Sequence, residues 1–205
     1  MLDIGCAAGF ILREARQRFG AVAVGIEPSE SFHEFCARDG FQVYGSTAEL
    51  LAAGEARFDC ITLSHVLEHL PDPVETLRGL RRDLLKTGGV LAVEVPNLYA
   101  HRCLEAGHPI CFNENTLRGT LAAAGFLTKE LLIHNHPRCD VNRPLYISAI
   151  AVPAATEATV SYERPNVWLE RVKRAYTSNR GPWLKRALKG TRIGVTSLFV
   201  DDLRY

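Results

Sequence analysis

The residues best placed to do chemistry fall in two short stretches. The first is Asp3-Ile4-Gly5-Cys6-Ala7-Ala8-Gly9, followed by Glu27-Pro28, with Glu27 22 residues after Gly5. The second is Ser64-His65-Val66-Leu67-Glu68-His69-Leu70-Pro71-Asp72-Pro73. In the first, glycines let the backbone approach a ligand closely and adopt left-handed dihedrals. The loop reads G-x-A-x-G, whereas a dinucleotide fold asks for G-x-G-x-x-G with pyrophosphate on the helix N-terminus. Asp3 would repel that pyrophosphate and suits a cationic or hydrogen-bond-donating ligand. Glu27, at the end of the next apolar run, can accept both hydroxyls of a ribose.

The second stretch contains His65-x-x-Glu68-His69, a zinc-protease signature when it lies on a helix. Such a site needs a sustained helix to stack the two imidazoles one turn apart. Pro71 follows His69 by two residues and Pro73 comes next. Proline biases its predecessor away from helix, so at most one turn is available. The protease reading is therefore rejected. Leu67 and Leu70 are expected to pack inward, and Glu68 and His69 to hydrogen-bond locally.

The elements that must hold these stretches follow from periodicity. Strands are expected near Leu2–Gly5, Ala21–Ile26, Phe41–Tyr44, Phe58–Leu63, Val90–Val95, Phe126–Ile133 and Leu145–Val152. Helices are expected over Phe10–Phe19, ended by Gly20, from a Ser29 cap to Arg38, over Val74–Leu85, and over Asn115–Ala124. Lys86-Thr87-Gly88-Gly89 reads as a turn. This alternation argues for an α/β fold with a mostly parallel sheet covered on both faces. Ligands then sit beyond the carboxyl ends of the strands, at the topological switch point.

Bulk properties exclude several classes. The chain has 205 residues, 47% of them hydrophobic, and a net charge of +1, which argues for neither a nucleic-acid nor a membrane partner. Its six cysteines include no C-x-x-C pair, which suits a reduced, cytoplasmic protein. Residues 154–205 form a second region, read as a basic helical extension. From residue 155 on, ten Lys or Arg stand against five Asp or Glu. Trp168, Leu169, Val172 and Tyr176 share one helical face there. Its basic flank is expected to meet solvent, with contact to an anionic surface as the functional alternative.

Together these residues carry a resemblance. Residues 1–153 resemble a class I S-adenosylmethionine-dependent methyltransferase, through LDIGCAAG, Glu27, the EHLPDP segment and Gly88-Gly89. The resemblance implies a Rossmann-like, doubly wound, mostly parallel seven-stranded sheet, with S-adenosylmethionine as cofactor. It implies that Asp3, Gly5, Cys6, Ala7 and Gly9 form the cofactor loop, Glu27 binds the ribose, and Pro28 borders the adenine. Ser46 and Thr47 would lie beside the adenine, and Ser64 and His65 near the methionine end. Ala7 stands where relatives have glycine, which is tolerable if its dihedrals are ordinary. Ser46 stands where many relatives have an acid. Relatives also carry a segment before the first motif that completes the central strand, so a shortened strand is expected here.

The implied reaction is methyl transfer to a small-molecule or sugar- or lipid-linked acceptor, most simply at oxygen. It gains chiefly from alignment of acceptor and methyl group, and from a general base. His65, His69 and His108 are the candidate bases, with His101 beside them, and Asn97 is a candidate for orienting the acceptor. Some ubiquinone-biosynthesis O-methyltransferases carry an acid-x-x-Glu-His string that resembles a divalent-metal site. His65 replaces that acid, so no metal is expected and a chelator should leave activity unchanged. Two rivals remain: a cofactor-binding module without catalysis, acting as an interaction subunit, and a nicotinamide oxidoreductase, which Asp3 disfavours.

Overall fold

The structure is a computed structural model that describes residues 1–55, 57–100, 107–136 and 144–155. The chain forms β1 (Leu2–Ile4), α1 (Phe10–Phe19), β2 (Val24–Ile26), α2 (Glu30–Arg38), β3 (Gln42–Tyr44) and α3 (Thr47–Ala52). It continues through β4 (Phe58–Ser64), α4 (Pro73–Gly79), β5 (Leu85–Pro96), α5 (Glu114–Ala123), β6 (Phe126–His134) and β7 (Tyr146–Pro153). The sheet order is β3-β2-β1-β4-β5-β7-β6. The pairs from β3 across to β5 are parallel, and β7 runs antiparallel to both β5 and β6. The expected doubly wound, mostly parallel seven-stranded sheet is thus observed. Its order reverses between β1 and β4, which makes the carboxyl ends of those two strands the switch point.

Several expected elements have altered bounds. α1 ends where its sequence demands: Gly20 takes φ 61°, and its N–H closes onto the carbonyls of Ala15 and Arg16. β2 is three residues rather than six, because only Val24–Ile26 pairs with β1 and β3. α3 was not expected; Ser46 caps it by accepting the Glu49 N–H at 3.2 Å. The long helix expected to Leu85 is α-helical only to Gly79 and widens into a π-type turn over Leu80–Leu84. The Lys86–Gly89 turn bulges out of β5: Phe58 pairs with Leu85, but Cys60 pairs with Val90. The extension from residue 156 onward and His101 lie outside the described residues. No helix among the described residues is long and apolar enough to cross a membrane.

Alternation along the strands separates two faces. Ile61, Leu63, Leu91, Val93, Val95, Ile147, Ala149 and Ala151 form one face, fully buried with Leu77, Leu117 and Leu121 of α4 and α5 in a single core. On the other face α1 and α2 bury Leu12, Cys36, Phe41 and Val43 over the β1–β3 half. Thr62, Ser64, Ala92, Glu94 and Ser148 on that face are only half-buried, and they line a cavity of about 180 Å³ with Ile11.

The two faces should respond differently to truncation. Leu91→Ala is expected to cost about 2–5 kcal/mol. Ile150→Thr on the open face is expected to cost less than about 1 kcal/mol. Urea unfolding of both variants checks this, and equal losses would refute the asymmetry.

Candidate functional site

The loop after β1 is built from backbone contacts. The N–H groups of Gly5 and Cys6 both donate to the Ile26 carbonyl, at 2.7 and 3.1 Å, and so tie the loop to the end of β2. Gly9 N–H donates to the Cys6 carbonyl at 2.8 Å, and Gly9 opens α1. Gly5, Ala7 and Gly9 all take positive φ, at 71°, 44° and 71°. A Cβ on Gly5 would lie 2.5 Å from Val66 Cγ2, so glycine is required there for space as well as dihedral. Ala7 has neither ordinary dihedrals nor the freedom of glycine, which corrects the expectation made for it. The left-handed region costs an L-residue roughly 1–2 kcal/mol.

Glu27 holds this strained position. Its carboxylate accepts the Ala7 N–H at 2.9 Å through one oxygen and the Ser29 N–H at 2.9 Å through the other. The residue is buried, and each oxygen keeps a further lone pair for a ligand hydroxyl. Asp3, also buried, accepts the Thr62 hydroxyl at 2.6 Å. Burial lifts the Asp3 carboxyl to about 6, against the downward pull of that hydrogen bond. Burial likewise pushes the Cys6 thiol up, so it remains a neutral packing group beneath the loop. Pro28 is exposed beside Glu27. The Ser46 hydroxyl serves as the α3 cap, and Glu49 reaches back to the Gly45 N–H at 2.9 Å.

The SHVLEHLPDP segment leaves β4 with His65 at φ 55°. Only Leu67–His69 coil, as one 3-10 turn, and Leu70 is already extended. The two imidazoles then part. His65 Nδ1 meets Glu68 Oε1 at 3.3 Å, and its Nε2 meets Glu94 Oε1 at 3.4 Å. Its ring stands edge-on to Tyr146 with centroids 5.2 Å apart. The hydrogen bonds to Glu68 and then Glu94 raise His65 to about 9. At neutral pH it is a cation with no lone pair, which removes it from the candidate bases.

His69 turns instead to the segment before α5. Its Nδ1 lies 2.8 Å from the Gly107 carbonyl, and its ring stands edge-to-face with His108 at 4.6 Å. That partner is distant in sequence, not local as expected. Leu67 is buried as expected and Leu70 packs against the core. The side chains of Glu68, His69 and His108 each place a donor atom within 4.8 Å of the others. Asn97 is buried and bonded to backbone: its amide N–H donates to the Pro144 carbonyl at 3.0 Å and its Oδ1 accepts the Tyr99 N–H at 3.1 Å.

Several site residues were missed in the sequence. Glu94 Oε2 accepts the Ser148 hydroxyl at 2.7 Å, and His134 Nε2 lies 2.7 Å from that same hydroxyl. His65, above all, holds the Glu94 carboxyl below the ordinary range. The only signal was a carboxylate interrupting the apolar run Val93-Glu94-Val95. Thr62, which binds Asp3, looked like an ordinary strand residue.

A family model described as a methyltransferase domain matches residues 1–130. The chain belongs to the methyltransferase-domain family. It is 35% identical over 103 residues to the ubiquinone biosynthesis O-methyltransferase of Cereibacter sphaeroides (strain KD131 / KCTC 12085), covering 47% of this chain and 41% of that protein. It is 34% identical over 108 residues to that of Haemophilus ducreyi, covering 47% and 45%. The chain thus spans less than half the length of these curated relatives. Among solved structures, a SAM-dependent methyltransferase from Archaeoglobus fulgidus aligns with TM-score 0.59 at 24% identity, over 73% of this chain and 84% of that one. The CcbJ methyltransferase of Streptomyces caelestis aligns with TM-score 0.61 at 17% identity, over 75% and 83%. The [4+2]-cyclase SpnF shares the fold too, with TM-score 0.57 at 21% identity, over 76% and 75%.

In this methyltransferase domain, relief of the strained loop should be measurable. Ala7→Gly is expected to raise stability by roughly 0.5–1 kcal/mol, the left-handed strain minus the entropy of an added glycine. A lower urea midpoint would show that Ala7 is not strained. Asp3 makes a second prediction. Because its folded carboxyl is raised, its charge is present above about pH 6 and lost as pH falls through that value. Affinity for S-adenosylhomocysteine, whose ammonium would face it, should fall about tenfold per pH unit below that point. Thr62→Val should move the onset to higher pH. Calorimetric titrations at several pH values test this, and a flat profile would place the ammonium elsewhere.

Proposed function

We propose that this chain binds S-adenosylmethionine at the β1/β4 switch point and transfers its methyl group to an oxygen of a small-molecule or glycan-linked acceptor. The observation that carries this reading is the pair of buried carboxylates, Asp3 and Glu27, on either side of a loop with three positive-φ residues. Such a site repels a pyrophosphate and so disfavours a nicotinamide dinucleotide. It suits a nucleoside with a ribose diol, an ammonium and a sulfonium. In this reading Gly5, Cys6, Ala7 and Gly9 form the wall against the ligand, Glu27 takes the diol, and Asp3 faces the ammonium. Pro28, Ser46 and Thr47 border the adenine, and Ser64 and His65 the methionine end.

The transfer itself is a displacement at carbon. The acceptor oxygen forms a bond to the methyl group as the carbon–sulfur bond breaks, and the sulfur keeps that electron pair as a neutral thioether. Alignment can supply on the order of 7–11 kcal/mol at best. The acceptor's proton must also leave. His69 donates from Nδ1 to the Gly107 carbonyl, so its Nε2 keeps a lone pair for that proton, with His108 beside it. The names of the O-methyltransferase relatives support oxygen as the receiving atom. A second reading, binding without turnover, is favoured by Ala7, whose strain could misplace the methyl donor.

Titration of the chain with S-adenosylhomocysteine and NAD, followed by a methyl-transfer assay on phenols and sugar nucleotides, tests the proposal. Saturable binding of S-adenosylhomocysteine alone is expected, weakened tenfold or more by Glu27→Gln, which leaves one backbone N–H without an acceptor, roughly 1–3 kcal/mol. Binding of NAD in preference would overturn it, and binding with no turnover on any acceptor would favour the second reading.

A further inference from the structure

The methyl-transfer site lies beyond the carboxyl ends of β1 and β4. The opposite pole of the sheet carries another cavity, of about 480 Å³, where β4 and β5 begin and β7 ends. The seven residues of β4 run from one pole to the other, so roughly 20 Å separate the two. The volume is that of a small-molecule site. Arg57, Arg81, Lys86 and Thr87 supply the polar lining, and Val152 and Pro153 supply apolar surface. Among the described residues no carboxylate lines it.

The two guanidiniums are anchored by the fold. Arg81 donates from Nη2 to the Ala154 carbonyl at 3.0 Å and lies against the turn at Gly125, where a Cβ would overlap its Nη1. Arg57 donates from Nη1 to the Leu85 carbonyl at 3.1 Å. Each bond uses one N–H of five, and a neutral carbonyl leaves the positive charge uncompensated. The neighbouring acids have other partners. Asp59 holds Lys86 through both oxygens, at 3.0 and 2.9 Å. Asp83 holds Arg82 the same way, at 2.9 and 2.7 Å. Arg82, and more weakly Arg57, keep the Asp83 carboxyl below its ordinary range. Arg57, Arg81, Arg82 and Lys86 thus stand against Asp59 and Asp83, four cations minus two anions, a net +2. Anchored guanidiniums with spare N–H groups suit bidentate recognition of a phosphate.

We propose that this cavity binds a small, soluble phosphate monoester. Arg57 and Arg81 take the phosphoryl oxygens, the Thr87 hydroxyl donates to one of them, and the organic group lies on Val152 and Pro153. Lys86, already held by Asp59, adds positive field rather than a direct contact. The exposed carboxylate of Asp59 beside it repels a flat anionic surface, which favours a soluble ligand over a lipid headgroup. The site lies at the far end of the strands from the cofactor loop and does not depend on the methyl-transfer reading.

The test titrates the full chain by calorimetry, at neutral pH and low salt, with phenyl phosphate, inorganic phosphate and phenol. Saturable binding of phenyl phosphate is expected, tighter than that of inorganic phosphate and weakened by added salt, with none for phenol. Arg57→Gln and Arg81→Gln should each weaken it by on the order of tenfold or more. Lys86→Gln should weaken it less, and Arg38→Gln, which removes the same charge from α2, should leave it unchanged. Urea midpoints of each variant report the fold. If Arg81→Gln unfolds the chain, Arg57→Gln decides, because its side chain is exposed. No binding of phenyl phosphate by a folded chain overturns the site. Binding that survives Arg57→Gln, or that S-adenosylhomocysteine displaces, puts the anion elsewhere and overturns it too. Equal affinity for inorganic and phenyl phosphate overturns the monoester. Co-sedimentation with phosphatidic acid vesicles, without binding of phenyl phosphate, overturns the soluble ligand. A chain that binds phenyl phosphate but not S-adenosylhomocysteine refutes the cofactor reading and leaves this site standing.

Discussion

The carboxylate of Glu27 is the fixed point of this site. It receives one N–H from the loop after β1 and one from the loop after β2. Those loops sit at the ends of two strands that pair over only three residues each. So short a ladder leaves the loop geometry weakly determined by the sheet alone. Two hydrogen bonds accepted by one buried carboxylate supply the missing constraint. They also explain how Ala7 is held at a dihedral that an L-residue avoids. Its N–H must point at Glu27, and the strain is offset by that bond.

The fold was largely legible because its signals are local. α1 runs over Phe10–Phe19 and stops at Gly20 in sequence and in structure, since an amphipathic stretch and a glycine stop need no tertiary context. β2 was overestimated because apolar content over Ala21–Ile26 does not reveal where pairing ends. The change from α-helix to π-type turn at Leu80 was illegible, because leucine and arginine suit either conformation. α3 escaped notice because it is a six-residue helix, capped by Ser46 and anchored by the single buried Leu50.

The site was legible in parts for the same reason. Asp3, Glu27 and the glycine loop announce themselves by type and spacing. The pairing of Thr62 with Asp3 depends on which strand lies beside β1, and so does the link from His65 through Glu94 to Ser148. Those partners lie dozens of residues apart and meet only because the strand order reverses at β1/β4 and β7 inserts beside β5. Asn97 illustrates the opposite error. A polar residue at a strand end looked available to a ligand, but it is buried and its amide pairs with backbone at Pro144 and Tyr99.

The string His65-x-x-Glu68-His69 shows how one motif is divided by its surroundings. On a continuous helix its side chains would converge on a single ion. Pro71 and Pro73 end the turn, and the left-handed dihedral at His65 throws that ring back over β5. There it lies between two carboxylates and becomes a fixed cation. This placement gives Glu68 one oxygen paired with His65 and one with no partner among the described residues, in a position with almost no solvent. His69, next along the turn, meets the segment before α5, where His108 brings a second imidazole edge-to-face. The same prolines that dismantle the protease-like arrangement therefore leave His65 ion-paired to two carboxylates and His69 against a segment 38 residues away.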